Sequence, residues 1–229
     1  MIDEFPFQKE MKKKDSEILN KTIEFVKQSL NQAEGGHDWW HAYRVWKMAT
    51  QIAKQEKADL FTVQLGALLH DIADAKFHDG NEEIGHEIAT AFLSELGVDN
   101  SVIDHVVAII KNISFKNSFE ENRFESLELD IISDADRLDA IGAIGIARTF
   151  NYGGHKGFAL YNPDIPPQKY KNKEDYKTSN APTVNHFYEK LFLLKSRMKT
   201  KTGKKLAEKR HRFMEKYLAQ FYLEWEGEF

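Results

Sequence analysis

The chain has no cysteine, so neither a disulfide framework nor a thiolate metal site can hold it together. Any metal must be taken by His, Asp or Glu. Only five prolines occur in 229 residues, which leaves long stretches without the residue that most strongly breaks helices. There is no apolar run of membrane-spanning length. The start, Met1-Ile2-Asp3-Glu4-Phe5, has neither the basic opening nor the apolar centre of a signal peptide. A cytoplasmic protein with no membrane partner is the expectation. Positive charge is in short supply too: 32 Lys and Arg against 36 Asp and Glu give a net charge of -4. That balance argues against a partner that is a nucleic-acid polymer, while leaving local Lys and Arg for a small phosphorylated substrate.

What the chain does have is 41% hydrophobic and 12% aromatic residues, enough to bury a substantial core. Their spacing is helical. Ile18, Leu19, Ile23, Val26 and Leu30 follow the cap candidates Asp15 and Ser16 and stop before Gly35-Gly36. Ala42, Val45, Trp46, Ala49, Ile52 and Ala53 make an amphipathic helix with Arg44 and Lys47 on its polar side. Leu60 to Leu69 is apolar almost throughout, so it predicts a buried helix that ends on His70-Asp71. A helix closed by Gly97 follows, then one capped by Asn100 or Ser101. Leu127 to Ala147 reads as one helix from its length and its Ala and Leu content.

The polar stretch 151–180, with Gly153-Gly154 and Pro166-Pro167, predicts a loop or lid. Helical periodicity returns with Phe187, Leu191, Leu194 and Met198, and again with Leu206, Phe213, Leu218 and Phe221. With strand-type alternation scarce and no linker evident, the expectation is an all-α fold in a single domain over 1–229. Its core motifs span about 36–150 and its C-terminal helices about 181–227.

Three separated segments offer ligands for a divalent cation: His37-Asp38-Trp39-Trp40-His41, His70-Asp71 with Asp74, and Asp134-Ala135-Asp136 with Asp139. Taken singly, a His-Asp doublet is as often a helix cap, and an acidic cluster is more often a helix start facing the dipole. A doublet at the end of an apolar helix is more telling. A buried carboxylate needs a partner, and a cation completed by ligands from elsewhere in the fold is one.

In this arrangement the chain resembles the HD-domain phosphohydrolase superfamily, whose pattern is a His, a His-Asp doublet and a distant Asp on helices around one metal. The stretches HDWWHAYRVWKMA, GALLHDIADAKFHDG and DADRLDAIGAIGIARTF are similar to a bacterial branch associated with nucleotide pyrophosphohydrolase activity. The resemblance runs from about Gly36 to Phe150. It implies an HD-domain fold and places the metal on His41, His70, Asp71 and Asp136, preferring His41 to His37 and Asp136 to Asp134.

Two imidazoles and two carboxylates suit manganese, iron, cobalt, nickel or magnesium as one divalent metal ion. Asp74, three residues beyond Asp71, is placed to take a proton from the attacking water, or else to cap a helix. Arg44, Lys76 and Lys116 are candidates for the phosphates, and His37 for the phosphate pocket or for orienting a ligand. His86 and His105 offer little support for a second metal, and His186, Lys190, Arg210 and His211 stand outside the core site. Trp39, Trp40 and Phe77 read as packing residues.

The activity implied is hydrolysis of a nucleoside or deoxynucleoside triphosphate to monophosphate and pyrophosphate. The alternatives are a phosphomonoesterase, a cyclic-nucleotide or alarmone hydrolase, and a nucleotide-binding sensor without turnover. A homodimer is compatible with the sequence but not required by it.

Overall fold

The structure, a computed structural model, describes residues 13–31, 38–72, 84–113, 124–169 and 180–228. Every regular element among the described residues is helical, as the all-α expectation requires. No helix among them is long and apolar enough to cross a membrane. The chain groups into two compact units, 1–133 and 134–229.

The first unit holds α1 (Lys13–Ser29), α2 (Trp39–Glu56), α3 (Leu60–Leu69), α4 (Ile84–Glu95), α5 (Asn100–Ile113) and the opening turns of α6 (Leu127–Asp139). Helix α3 is its centre and packs against α1, α2 and α5. Thr62 to Leu69 are buried without exception, the expected fate of a helix that is apolar on all sides. Gln64, polar and buried in that helix, accepts a hydrogen bond from Trp46 Nε1 at 3.2 Å, which avoids the cost of an unsatisfied amide. Helix α2 buries Ala42, Val45, Trp46, Ala49, Ile52 and Ala53, the stripe read from the sequence.

Two caps differ from expectation. Asp15 and Ser16 lie inside α1, which is already helical at Lys13. At α5 the cap is Asp99, whose Oδ1 accepts from Ser101 N at 2.9 Å and Ser101 Oγ at 2.6 Å. Asn100 and Ser101 are the first helical residues.

The second unit holds the rest of α6, then α7 (Gly142–Lys156), α8 (Asn185–Glu189), a 3-10 segment (Leu191–Arg197) and α9 (Lys201–Glu226). Helix α9 packs on α7 and on the 3-10 segment, over a core that includes Phe187, Leu191, Ala207, Met214 and Leu218. The expected single helix from Leu127 to Ala147 is two helices, broken at Ala140-Ile141. Gly142 takes φ +77°, and a Cβ there would lie 2.9 Å from Arg210 Cγ, so the turn needs glycine in both conformation and space. The loop expected from Asn151 begins later, because α7 runs through Gly153-Gly154 to Lys156. Gly157 supplies the left-handed stop, its N–H bonding back to the carbonyls of Gly153 and Gly154. The helix expected around Leu191 and Leu194 is 3-10 rather than α.

Candidate metal centre

His41 enters the site from the first turn of α2. Asp38 is the N-cap of that helix, and its Oδ1 accepts from the backbone N–H of His41 at 2.8 Å. This gives Asp38 a structural task at the start of α2. His37 itself lies outside the described residues.

His70 stands at the other end of a helix, as the C-cap of the buried α3, with Asp71 next to it. His70 Nδ1 lies 2.8 Å from Ala67 O. In a neutral ring that bond puts the only proton on Nδ1 and leaves Nε2 as a lone pair, the orientation in which a backbone carbonyl prepares a histidine to ligate. His70 Nε2 is buried and has no hydrogen-bond partner among the described residues.

Three atoms converge here. Asp71 Oδ2 is 3.3 Å from His41 Nε2 and 3.4 Å from His70 Nε2, and the ligand atoms of the three residues all lie within 4.8 Å of one another. The two imidazole centroids are 5.4 Å apart. Both histidine side chains are almost wholly buried, while that of Asp71 retains 19% exposure. A nitrogen lone pair and a carboxylate oxygen facing each other at 3.4 Å repel in a low-dielectric setting, and a cation between them reverses the sign. The donor set, borderline nitrogens with a hard oxygen, fits a divalent first-row metal or magnesium. The residues present therefore fit the metal that the sequence motif implies.

Of the other candidates, Asp136 is half-buried on α6. The alternative to it in the sequence, Asp134, has partners of its own. That carboxylate is fully buried and accepts from Lys199 N at 2.9 and 3.1 Å, from Thr200 N at 2.8 Å and from Thr200 Oγ1 at 2.8 Å, with Arg137 Nη1 at 3.4 Å. Both of its oxygens are engaged in fastening α6 to the segment that opens α9. Arg44 is half-buried on α2, three residues after His41. Asp74, Lys76, Lys116 and Phe77 lie outside the described residues.

The remaining histidines have other surroundings. His105 Nε2 is 3.0 Å from Ser126 Oγ, which in turn accepts from Leu129 N and so caps α6. His211 Nε2 is 3.4 Å from Glu215 Oε1, and its ring packs on Phe192. His186 is half-buried, and burial, followed by the nearby charge of Lys190, pushes its pKa down to about 4. Arg210 donates to the carbonyl of Leu138, which finishes α6; burial lowers its pKa while Asp139 opposes that shift.

Asp139 is buried and paired with Arg148. This ion pair had not been assigned from the sequence, although both residues fall within the third motif. Nor are Trp39 and Trp40 equivalent packing residues. Trp40 is 60% exposed, while Trp39 sits against Tyr43 with Lys27 Nζ 5.3 Å from its ring centroid.

These features agree with the relatives of the chain. The HD domain family model matches residues 39–141, a span that includes His41, His70, Asp71 and Asp136. A solved HD-superfamily hydrolase from Bacillus thuringiensis superposes with a TM-score of 0.76 at 44% identity, covering 93% of this chain and 98% of that one. The chain belongs to the HD-domain phosphohydrolase superfamily. It is also 38% identical over 197 residues to YpgQ of Bacillus subtilis, covering 86% of this chain and 88% of that protein. The structure of YpgQ in complex with ADP matches with a TM-score of 0.71 at 34% identity, covering 91% of this chain and 95% of that one.

Proposed function

We propose that the protein hydrolyses nucleoside or deoxynucleoside triphosphates to a monophosphate and pyrophosphate. The observation that carries the metal-dependent part is the convergence of His41 Nε2, His70 Nε2 and Asp71 Oδ2 within 4.8 Å. The nucleotide part is supported by the ADP held by the related YpgQ. Asp136 is the fourth ligand in this reading. Its support is the family pattern, together with the complete engagement of Asp134 elsewhere.

A divalent ion held there would polarise a phosphate oxygen and make water a better nucleophile at neutral pH. The chain supplies the rest. His70, fixed through Nδ1 by Ala67 O, holds its Nε2 in place without reorganisation. The Asp38 cap does the same for the backbone at His41. Asp74 is assigned to accept the proton of the attacking water. Arg44, Lys76 and Lys116, with His37, are assigned to the phosphate chain, where cations offset the charge that develops during transfer.

The test is a panel of nucleotides incubated with manganese, magnesium, cobalt, nickel or iron, with pyrophosphate and orthophosphate measured separately. Pyrophosphate released in step with monophosphate supports the proposal. Orthophosphate from a monophosphate, or opening of a cyclic nucleotide, replaces it with a phosphoesterase. Tight nucleotide binding with no turnover under any of these metals replaces it with a sensor.

A further inference from the structure

The charge of the chain is unevenly distributed. Residues 195–216 contain ten Lys and Arg against two Glu, a net +8, while the whole chain is -4, so the remainder carries -12. Most of this positive segment is the first part of α9. Lys201, Lys205, Lys209, Arg212 and Lys216 follow one another at spacings of four, four, three and four and are all exposed, opposite the buried Gly203, Ala207, Met214 and Leu218. At the helical rise they form a line about 22 Å long with a cation every ~5–6 Å.

The acids of the segment engage only one member of this line, Arg212. Glu208 takes Lys195 and Arg212, and Glu215 takes His211. Among the described residues Lys201, Lys204, Lys205, Lys209 and Lys216 enter no ion pair. Lys201 and Lys204 also lie in the first turn of α9, where the helix dipole disfavours cations. Folding alone gives no reason to collect them there.

A second feature lies on the same side. Phe213 is 49% exposed, four residues after Lys209 and three before Lys216, and therefore their neighbour on the helix surface. An exposed aromatic ring between lysines is a place for a planar base to stack.

We infer that this face of α9 binds single-stranded nucleic acid, with the lysines on successive phosphates and a base on Phe213. The negative net charge of the chain does not oppose this, because it averages a basic helix face with an acidic remainder. A linear array of cations matches a linear polyanion better than it matches a single nucleotide, which two or three cations satisfy. An anionic membrane is the less suitable partner: the apolar face of α9 is already buried in its own unit, and a membrane-surface helix needs that face for lipid.

The experiment is fluorescence anisotropy with a labelled 20-nucleotide single-stranded RNA, using the full chain, at several salt concentrations. The expected result is binding at low salt, with log K falling against log salt at a slope of about -3 to -4, as for roughly five contacts to a single strand. Lys205→Glu with Lys209→Glu and Lys216→Glu should weaken binding at least 30-fold. Phe213→Ala should weaken it about 10-fold for RNA while leaving binding to inorganic polyphosphate unchanged. All variants should keep wild-type helicity by circular dichroism, since the residues changed are exposed.

Absence of binding at low salt overturns the inference. So does a triple variant that binds like the wild type. Lysine-dependent binding to phosphatidylserine vesicles with no effect of Phe213→Ala on RNA assigns the face to membranes instead. A lysine-dependent dimer in sedimentation, without RNA binding, assigns it to a second copy of the chain.

Discussion

Two buried or half-buried aspartates, Asp71 in the first unit and Asp134 in the second, show how differently one side chain can be used. Asp134 is surrounded by backbone N–H groups and a hydroxyl, and its charge is compensated by protein alone. Asp71 faces the Nε2 atoms of two histidines at 3.3 and 3.4 Å, one of them in a ring whose proton is committed to a carbonyl. The first arrangement is complete as it stands. The second gathers three ligand atoms within 4.8 Å of one another, a set that could hold a cation. The two differ in what their oxygens face: backbone N–H groups and a hydroxyl at Asp134, histidine ring nitrogens at Asp71.

The largest effect expected of this contrast is at the metal-binding side. His70→Ala or Asp71→Ala should lower nucleotide hydrolysis by at least about 10³-fold and abolish bound metal in elemental analysis, with little loss of helicity. Metal at 100 times its dissociation constant should stabilise the wild type by about 2.7 kcal/mol and leave these variants unmoved in thermal denaturation. A variant that keeps its metal would break the comparison.

Next in size is Asp134→Ala. It strips the partner from three donors at residues 199 and 200 and should destabilise the fold by about 3 kcal/mol, read by urea denaturation with or without metal. If instead Asp134→Ala leaves stability intact and removes metal, the roles of Asp134 and Asp136 are reversed.

How much of this could be read from the sequence depends on the distance between partners. His41 and His70-Asp71 stand out because each begins or follows a helix legible in the sequence, α2 by its apolar stripe and α3 by its nearly continuous apolar run. The task of Asp134 was invisible, since its partners lie 65 and 66 residues away. The break before Gly142 was equally hidden: apolar spacing continues across it, and the side chain that leaves room only for glycine there, Arg210, lies far along the chain. For α7 the sequence pointed to a loop from residue 151 on the strength of Gly153-Gly154, and the folded backbone shows that the helix passes through both and stops at Gly157.

A third, smaller effect lies in the pH dependence of the second unit. His186 has a pKa of about 4 in the folded protein, below its ordinary 6.5, because burial disfavours the imidazolium. Between these values the unfolded chain binds the extra proton. Stability therefore falls as the pH drops from about 6.5, by at most about 1.4 kcal/mol per pH unit from this group, and levels off below about 4. His186→Gln should flatten that part of the curve in denaturation experiments. A wild-type profile identical to that of the variant over pH 4–6.5 would mean that His186 titrates normally.

The smallest effect sharpens the first unit. Asp38→Ala removes the cap of α2 and should cost about 1 kcal/mol, while Asp38→Asn or Asp38→Ser should restore most of it. Because the same bond holds the backbone of His41, the alanine variant should also weaken metal affinity in calorimetry, by a few-fold as an order-of-magnitude estimate. Unchanged affinity would show that the side chain of His41 is positioned by packing alone.

The Asp38 cap also makes the stretch before His41 sensitive to length rather than to composition. Each residue of a helix turns the chain by about 100°, so one residue inserted between Asp38 and His41 would keep a capped helix and an intact apolar stripe from Ala42 onward. Either the cap or the histidine would then lose its place. Trp39 and Trp40 can vary in kind, but the count of two residues between Asp38 and His41 fixes where both side chains stand.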